Sequence, residues 1–206
     1  MTIHYLALGD SYTIGTGTST QGRNFPSHLA RKLEAVTGAR VELRNPAVNG
    51  YSSADLIRHE LPELERFRPD LVTILIGAND LVQGVDEPSY RSRIGQIYDA
   101  VQMLGLPPGR VVALSIPDFS VVLEAPTYGD PAQIRVRIDR FNQVAADQAS
   151  AHRFDYIDLS ELSRSGAKRP GWIAADGLHP GDAQHEAWSQ LIWQRVASVW
   201  TVPARE

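Results

Sequence analysis

The feature that most constrains the fold is a regular alternation of short apolar runs with longer amphipathic segments. Five runs have the length of β-strands, and they lie at residues 3–8, 41–48, 71–76, 111–116 and 154–159. The run at 71–76 is apolar on both of its faces, as the central strand of a parallel sheet must be. This alternation is typical of an α/β domain.

The segments between the runs carry apolar residues at the three- and four-residue spacing of helices. One helix is predicted to begin near Asn24 and to end at Gly38, and another to begin at Ser52 or Ser53 and to be interrupted by Pro62. Further apolar stripes lie at residues 94–104, 134–145 and 188–200. We therefore predict a single α/β domain over residues 1–206, with an open parallel sheet and helices on both of its faces.

Composition excludes several classes of function. The chain has 206 residues, and its formal net charge of −4 provides no basic surface for a nucleic acid. Because it contains no cysteine, a disulfide, a thiolate nucleophile and a cysteine-based metal site are all excluded. No basic and apolar leader precedes the first strand and no apolar run is long enough to span a bilayer, so the sequence predicts a cytoplasmic protein without a transmembrane segment. The oligomeric state stays open.

Ligands of open parallel sheets bind beyond the carboxyl ends of the strands, so the residues that follow each strand carry the most information. Gly9-Asp10-Ser11 follows the first strand, where the turn into a helix would expose the Ser11 hydroxyl at the edge of the sheet. Taken alone, an Asp-Ser pair in this position is more typical of an ordinary cap or turn.

Two further loops add hydrogen-bond donors to the same edge. Gly50 follows the second strand, and a glycine there lets the backbone approach a ligand and offer its N–H group. Gly77-Ala78-Asn79-Asp80 directly follows the central strand, where the Asn79 amide could donate a hydrogen bond to a developing oxyanion.

The fourth loop pairs an acid with an imidazole. Asp176 and His179 are three residues apart, just before the last helical segment. A carboxylate at this spacing can accept from one ring nitrogen while the other nitrogen faces a serine hydroxyl. The remaining histidines are expected at the surface or at the edge of the core, and they are His4, His28, His59, His152 and His185.

Together these four places resemble the sequence blocks of the SGNH (GDSL-type) hydrolase family. The matching residues are Gly9-Asp10-Ser11, Gly50, Gly77-Ala78-Asn79-Asp80 and Asp176-Gly177-Leu178-His179-Pro180, which cover nearly the whole chain in the family's order. Tyr12 stands where the family's older motif name has leucine, a departure that bears on the subfamily and leaves the chemistry intact.

The resemblance implies a flavodoxin-like, three-layer α/β/α fold with a five-stranded parallel sheet in the order 2-1-3-4-5. It also implies a serine esterase whose catalytic triad is Ser11, Asp176 and His179. The oxyanion hole would consist of the Ser11 and Gly50 N–H groups and the Asn79 side chain. The expected substrate is a small-molecule ester, and no cofactor or metal is expected.

The nature of the substrate is left open by the sequence. Phe119, Val122 and Tyr128, which follow the fourth strand, could line an acyl pocket or could belong to a loop that simply packs on the domain. Trp172 and the basic residues before it could contact a sugar or an anionic leaving group, or could form a solvated loop. The alternatives are a carboxylesterase or lysophospholipase/thioesterase-like enzyme, a carbohydrate O-acetylesterase, and a non-catalytic binder of carbohydrate or acyl groups.

Other motif interpretations fail on the residues themselves. Gly15-Thr16-Gly17 follows the first strand, but the third glycine of a dinucleotide-binding loop is replaced by Thr20. The G-x-S-x-G elbow of an α/β-hydrolase is absent from the sequence. His59-Glu60 has no second histidine at the spacing of a zinc hydrolase.

Overall fold

A five-stranded parallel sheet forms the centre of the protein, as a computed structural model describes it over residues 2–202. The strands are β1 (Thr2–Gly9), β2 (Arg40–Arg44), β3 (Leu71–Leu75), β4 (Val111–Leu114) and β5 (Asp155–Ile157). Their spatial order is β2-β1-β3-β4-β5, and every neighbouring pair is parallel. The predicted flavodoxin-like order is thus confirmed.

Helices cover both faces of this sheet. They are α1 (Ser11–Ile14), α2 (Phe25–Thr37), α3 (Ser53–His59), α4 (Glu63–Phe67), α5 (Ala78–Val82), α6 (Glu87–Gln102), α7 (Pro131–His152), α8 (Ser160–Gly166) and α9 (Asp182–Trp200). Short 3₁₀ turns lie at Gln21–Arg23, Phe119–Val121 and Ala125–Tyr128. The predicted stripes lie on helices except for Leu104, which lies just beyond the end of α6. The short helices α1, α5 and α8 carry no periodic pattern that would have predicted them.

The ends of α2 agree with the sequence prediction. The Asn24 side chain accepts a hydrogen bond from the Ser27 N–H at 2.9 Å and caps the first turn. At the other end, Gly38 adopts the left-handed conformation, with φ of 65°, and its N–H donates to the Glu34 carbonyl.

Four strands are shorter than their apolar runs. β3 ends at Leu75 and β4 at Leu114, one and two residues before their predicted ends. The other two differ more. The prediction that the second strand runs to residue 48 is wrong, because Asn45 turns the chain by bonding the Thr13 carbonyl and the Ala47 N–H. The fifth strand was predicted to reach Leu159. It ends at residue 157, because the Leu159 N–H donates to the Ser115 hydroxyl instead of to a strand.

The core lies between the sheet and its helical layers. All five residues of β3 are buried, as its apolar sequence predicts. Helix α2 packs on α9, where the Phe25 and Trp188 rings meet at 6.3 Å, and α6 packs on α7, where Tyr90 stacks on Phe141 at 4.2 Å. Within residues 2–202, the structure contains no helix that is both long and apolar enough to cross a bilayer.

Candidate active site

The candidate nucleophile lies in a one-turn helix at the end of the first strand. Ser11 begins α1 directly after β1 ends, and Asp10 caps this helix by accepting the Tyr12 N–H at 3.0 Å. The helix ends at Gly15, which has a left-handed conformation with φ of 88° and whose N–H donates to the Ser11 carbonyl. Because Ser11 is only 6% exposed, its side chain lies in the floor of the site.

The nucleophile turn requires a glycine just before it. A Cβ atom on Gly9 would overlap the Thr13 hydroxyl and the Leu75 carbonyl oxygen. The first turn of α1 therefore lies directly against the end of β1 and of its neighbour β3, and any side chain at position 9 would move it.

The acid and the imidazole form the contact that their spacing predicts. His179 Nδ1 lies 2.6 Å from Asp176 Oδ2, and Asp176 Oδ1 accepts the N–H groups of Leu178 and His179. Partial burial acts to raise the pKa of Asp176, but these hydrogen bonds outweigh it, so the pKa is lower than usual. The His179 ring meets the Tyr12 ring edge-on at 6.2 Å, which brings the imidazole beside the Ser11 turn.

A glycine from the loop after α1 helps to position the imidazole. A Cβ atom on Gly17 would lie 2.6 Å from Ala174 Cβ and 3.0 Å from His179 Cβ, and Gly17 itself has φ of 90°. The same loop is tied to the start of α9 through Ser19, whose N–H and hydroxyl both donate to Asp182. Sequence analysis considered Gly17 only as part of a nucleotide-binding loop and missed this contact, which only the folded chain creates.

Three N–H donors belong to the residues predicted to form the oxyanion hole. Asn79 donates one amide N–H to the Tyr51 carbonyl at 2.9 Å, which leaves its second N–H available. Gly50 is exposed with φ of 87°. Within the described part of the chain, neither the Gly50 N–H nor the Ser11 N–H has a protein acceptor.

The loops that carry these donors are bonded to one another. Asn45 donates its amide to the Thr13 carbonyl at 2.9 Å, which joins the loop after β2 to α1. Ser53 donates through both its N–H and its hydroxyl to the buried Asp80, which joins α3 to α5. Residues from three separate strand ends are thus held in a fixed arrangement.

The predicted acyl-pocket residues lie beside the triad loop. Phe119 and Val122 are buried, and with Tyr12 and Leu178 they line a cleft of about 10 Å³, which has room for about one water molecule. Tyr128 is exposed and meets Phe119 edge-on at 6.4 Å. Phe119 and Val122 thus pack into the domain and also border the site, and their contact with a substrate stays a prediction.

The structure does not bring Trp172 to the site. This side chain is 2% exposed, its indole N–H donates to the Ser163 carbonyl at 3.2 Å, and its ring packs directly on Gly166. The expectation of a substrate contact is corrected, because the ring fills the interior beneath α8. Arg164, one of the basic residues before it, bonds the buried Asp118 at 3.2 Å.

One histidine prediction is wrong. His185 was expected at the surface or at the edge of the core, but it is fully buried, with its Nδ1 accepting the Phe25 N–H at 3.3 Å and its ring 5.1 Å from Trp188. Burial lowers the pKa of His185 to about 3, so the ring is neutral. The other four are exposed or half-buried as expected, namely His4, His28, His59 and His152.

Comparison with known proteins agrees with the geometry. Residues 7–187 match the sequence model of the GDSL-like lipase/acylhydrolase family. A lipase from Streptomyces rimosus is 27% identical over 190 residues, which cover 76% of this chain and 69% of that protein.

Solved structures share the fold at low sequence identity. A lipase/acylhydrolase from Enterococcus faecalis matches with a TM-score of 0.74 and 21% identity, over 99% of this chain and all of that one. An acetylxylan esterase from Geobacillus stearothermophilus matches with a TM-score of 0.75 and 20% identity, over 98% of this chain and 97% of that one. At these identities the likeness concerns the fold alone.

Proposed function

The chain belongs to the GDSL-like lipase/acylhydrolase family, and on that premise we propose that it is a serine esterase that hydrolyses small carboxylic esters through an acyl-enzyme on Ser11. Family membership makes it an SGNH-type ester hydrolase. The roles of individual residues and the choice of substrate are the proposal.

One observation carries the proposal. The Asp176–His179 pair, bonded at 2.6 Å, lies beside the turn that begins with Ser11, and within residues 2–202 the Ser11 N–H has no protein acceptor. An oriented imidazole, a hydroxyl and convergent donors are the parts that acyl transfer requires.

In the first half of the reaction, His179 accepts the Ser11 proton while Oγ attacks the ester carbonyl. Asp176 holds the Nδ1–H of the ring, so that Nε2 is the basic nitrogen, and it stabilises the imidazolium. The developing oxyanion accepts from the Ser11 and Gly50 N–H groups and from the free N–H of Asn79. The imidazolium then protonates the leaving alcohol as the ester C–O bond breaks.

In the second half, a water molecule takes the place of the alcohol. His179 accepts its proton as the oxygen attacks the acyl carbonyl, and the same three donors stabilise the second tetrahedral intermediate. Collapse of this intermediate returns the proton to Ser11 and releases the carboxylic acid. The products are one acid and one alcohol, and the enzyme is regenerated.

The cleft beside Tyr12 disfavours a long acyl group. It has room for about one water molecule, so an acyl chain enters it only if Phe119 or Val122 moves, and both of these pack into the core. The same narrowness favours a second candidate, the removal of acetyl groups from a carbohydrate. A protein of this fold that acts as an acetylxylan esterase is compatible with that candidate.

The test is hydrolysis of p-nitrophenyl esters from acetyl to palmitoyl, together with acetylated xylan, by the wild type and by Ser11→Ala. Ser189→Ala is the matched control, because this buried serine of α9 bonds only the Glu186 carbonyl. Labelling with a fluorophosphonate, followed by peptide mass mapping, provides a readout that does not depend on the right ester.

We expect loss of activity and labelling in Ser11→Ala, retention of both in Ser189→Ala, and the highest kcat/KM for acetyl or propionyl esters. A Ser11→Ala variant with wild-type turnover would contradict the mechanism. Folded wild type that neither hydrolyses an ester nor reacts with the phosphonate would instead favour a non-catalytic binder.

A further inference from the structure

A buried carboxyl group that is not part of the triad bonds the backbone just before the nucleophile. Glu60 directly follows α3 and is completely buried. Its Oε2 accepts the N–H of Gly9 at 2.9 Å, two residues before the nucleophile. Since Gly9 has no room for a side chain, this hydrogen bond fixes the backbone from which the Ser11 turn begins.

The carboxyl group next to Ser11 is buried as well. Asp10 is inaccessible to solvent, and its Oδ1 accepts the Tyr12 N–H. Among residues 2–202, the second oxygens of the two groups, Asp10 Oδ2 and Glu60 Oε1, are both buried and have no hydrogen-bond partner. Two unsatisfied carboxylate oxygens in one interior site are costly unless a proton lies between them or on one of them.

The surrounding charges do not provide a cation for this pair. Asp80 on α5 also faces Asp10, but it takes the nearby Arg93 guanidinium at 3.1 Å as well as both Ser53 donors. The other titratable groups near Asp10 are the buried phenols of Tyr12 and Tyr90. Among residues 2–202, no Lys, Arg or His pairs with Asp10 or Glu60.

The ionisation of both groups is shifted in the same direction. Burial raises the pKa of Glu60 to about 8, against the hydrogen bond from Gly9, and the charge of Asp10 adds to the rise. Burial likewise raises the pKa of Asp10 to about 7, against the Tyr12 N–H, with a further contribution from Asp80. Near neutral pH both carboxyl groups therefore favour the protonated form more than exposed carboxyl groups do, and the charge of Asp10 acts on Glu60.

We propose that Glu60 is a positioning residue for the nucleophile: it shares one proton with Asp10, and through Gly9 it holds the Ser11 turn in its reactive arrangement. The proposal rests on the proposed reaction at Ser11. Loss of the shared proton leaves two negative charges beside the turn, which separates the carboxylates and opposes the negative charge that develops at the Ser11 N–H. Activity should therefore fall at alkaline pH.

The test compares the pH profiles of kcat/KM between pH 5 and 10 for the wild type and Glu60→Gln. Glutamine keeps the oxygen that accepts from Gly9 and replaces the shared proton by a permanent N–H donor. Glu63→Gln is the matched control, because this buried glutamate of α4 bonds Arg44 and Arg66 instead of the nucleophile turn.

We expect the wild type and Glu63→Gln to lose activity on the order of tenfold as the pH rises through about 8. Glu60→Gln should keep its activity over that range. The same alkaline loss in Glu60→Gln, or no loss in the wild type, would overturn the proposal.

Two further measurements, urea unfolding and infrared spectroscopy, test the proposal without depending on enzyme activity. Because the folded pKa of Glu60 is raised from 4.5, its stabilising effect is complete below about pH 4.5 and is lost as the pH rises through about 8. Urea unfolding of wild type and Glu60→Gln should show this difference. If the variant does not fold, infrared spectroscopy of the wild type should show a protonated carboxyl band at pH 7 that disappears by pH 9.5.

The readouts separate this proposal from the proposed function. A protonated carboxyl group at neutral pH without esterase activity would contradict the proposed function but agree with the proton shared by Asp10 and Glu60. Ser11-dependent activity without the protonated carboxyl band would contradict the shared proton but agree with the proposed function. The same conclusion would follow if the wild type and Glu60→Gln had the same pH dependence of stability.

Discussion

The Asn79 amide has two tasks that use different hydrogen atoms. One N–H is bonded to the Tyr51 carbonyl, which fixes the orientation of the amide, and the other is available to an oxyanion. Asn79→Ala removes the second donor, and we expect kcat to fall by about 10²–10³ with little change in KM, because the lost hydrogen bond forms in the transition state.

The control for this substitution is Asn49→Ala, which truncates an exposed asparagine beside Gly50. Steady-state kinetics on the best ester should show no more than a small change for the control. A similar loss in both variants, or a rise in KM alone for Asn79→Ala, would mean that Asn79 does not act on the transition state.

Gly17 affects the site because its lack of a side chain leaves room for Ala174 and His179. A methyl group at this position would press on Ala174 and His179, so Gly17→Ala should displace the imidazole and lower kcat. Gly84→Ala is the matched control, because Gly84 has a similar φ of 77° but nothing within 4 Å of its Cβ position.

Both substitutions incur the backbone cost of a left-handed alanine, about 1–2 kcal/mol. Only Gly17→Ala should add overpacking of about 1–3 kcal/mol and a loss of turnover. Equal stability and equal kcat in the two variants, measured by urea unfolding and ester hydrolysis, would show that the loop adjusts without moving His179.

At the scale of elements, the start of α2 links a helix cap to the site. The Asn24 side chain caps α2 through the Ser27 N–H and also donates to the Ile14 carbonyl at the end of α1. Asn24→Ala should lower the free energy of unfolding by about 2 kcal/mol, since it removes a cap and leaves the part-buried Ile14 carbonyl without its donor.

The corresponding substitution at an exposed cap is Asp130→Ala, which removes only the hydrogen bond to the Gln133 N–H at the start of α7. It should cost about 1 kcal/mol. Urea unfolding of both variants measures the difference, and equal losses would mean that the bond from Asn24 to Ile14 contributes nothing.

The existence of the strands and of the longer helices followed from sequence periodicity, but several of their ends did not. The apolar run of β3 predicts a fully buried strand because burial on both faces requires apolar residues throughout. The runs of β2 and β5 extend beyond their strands because residues distant in sequence bond them. The Asn45 side chain donates to the Thr13 carbonyl, and the Leu159 N–H donates to the Ser115 hydroxyl. Such partners cannot be read from a local pattern.

At the scale of the whole molecule, the same distinction applies to the site. Ser11 and Asn79 could be placed at the edge of the sheet because each lies at the end of a strand, where an open sheet binds its ligands. The contact of Asp176 with His179 followed from their three-residue spacing. Glu60 could not, because it reaches Gly9 across 51 residues and no motif marks it. Trp172 was assigned to the site from its place in a basic loop, but its large apolar ring is buried in the interior.

The buried His185 makes the stability of the whole protein depend on acidity. Its ring joins α9 to α2 through the Phe25 N–H, and its pKa of about 3 lies below the 6.5 of the unfolded chain. Between these two values the unfolded state binds one more proton than the folded state. The free energy of unfolding should therefore decrease as the pH falls through this window, by up to about 1.4 kcal/mol per pH unit from this residue.

His185→Asn keeps an acceptor for the Phe25 N–H but cannot become charged. This variant should be less stable than the wild type at pH 7, because a smaller side chain leaves a cavity beside Trp188, yet it should lose less stability on acidification. His59→Gln, at an exposed position, is the control and should keep the wild-type slope. Urea unfolding between pH 4 and 7 measures all three slopes. If the stability of His185→Asn is as sensitive to acid as that of the wild type, then groups other than His185 govern the acid stability.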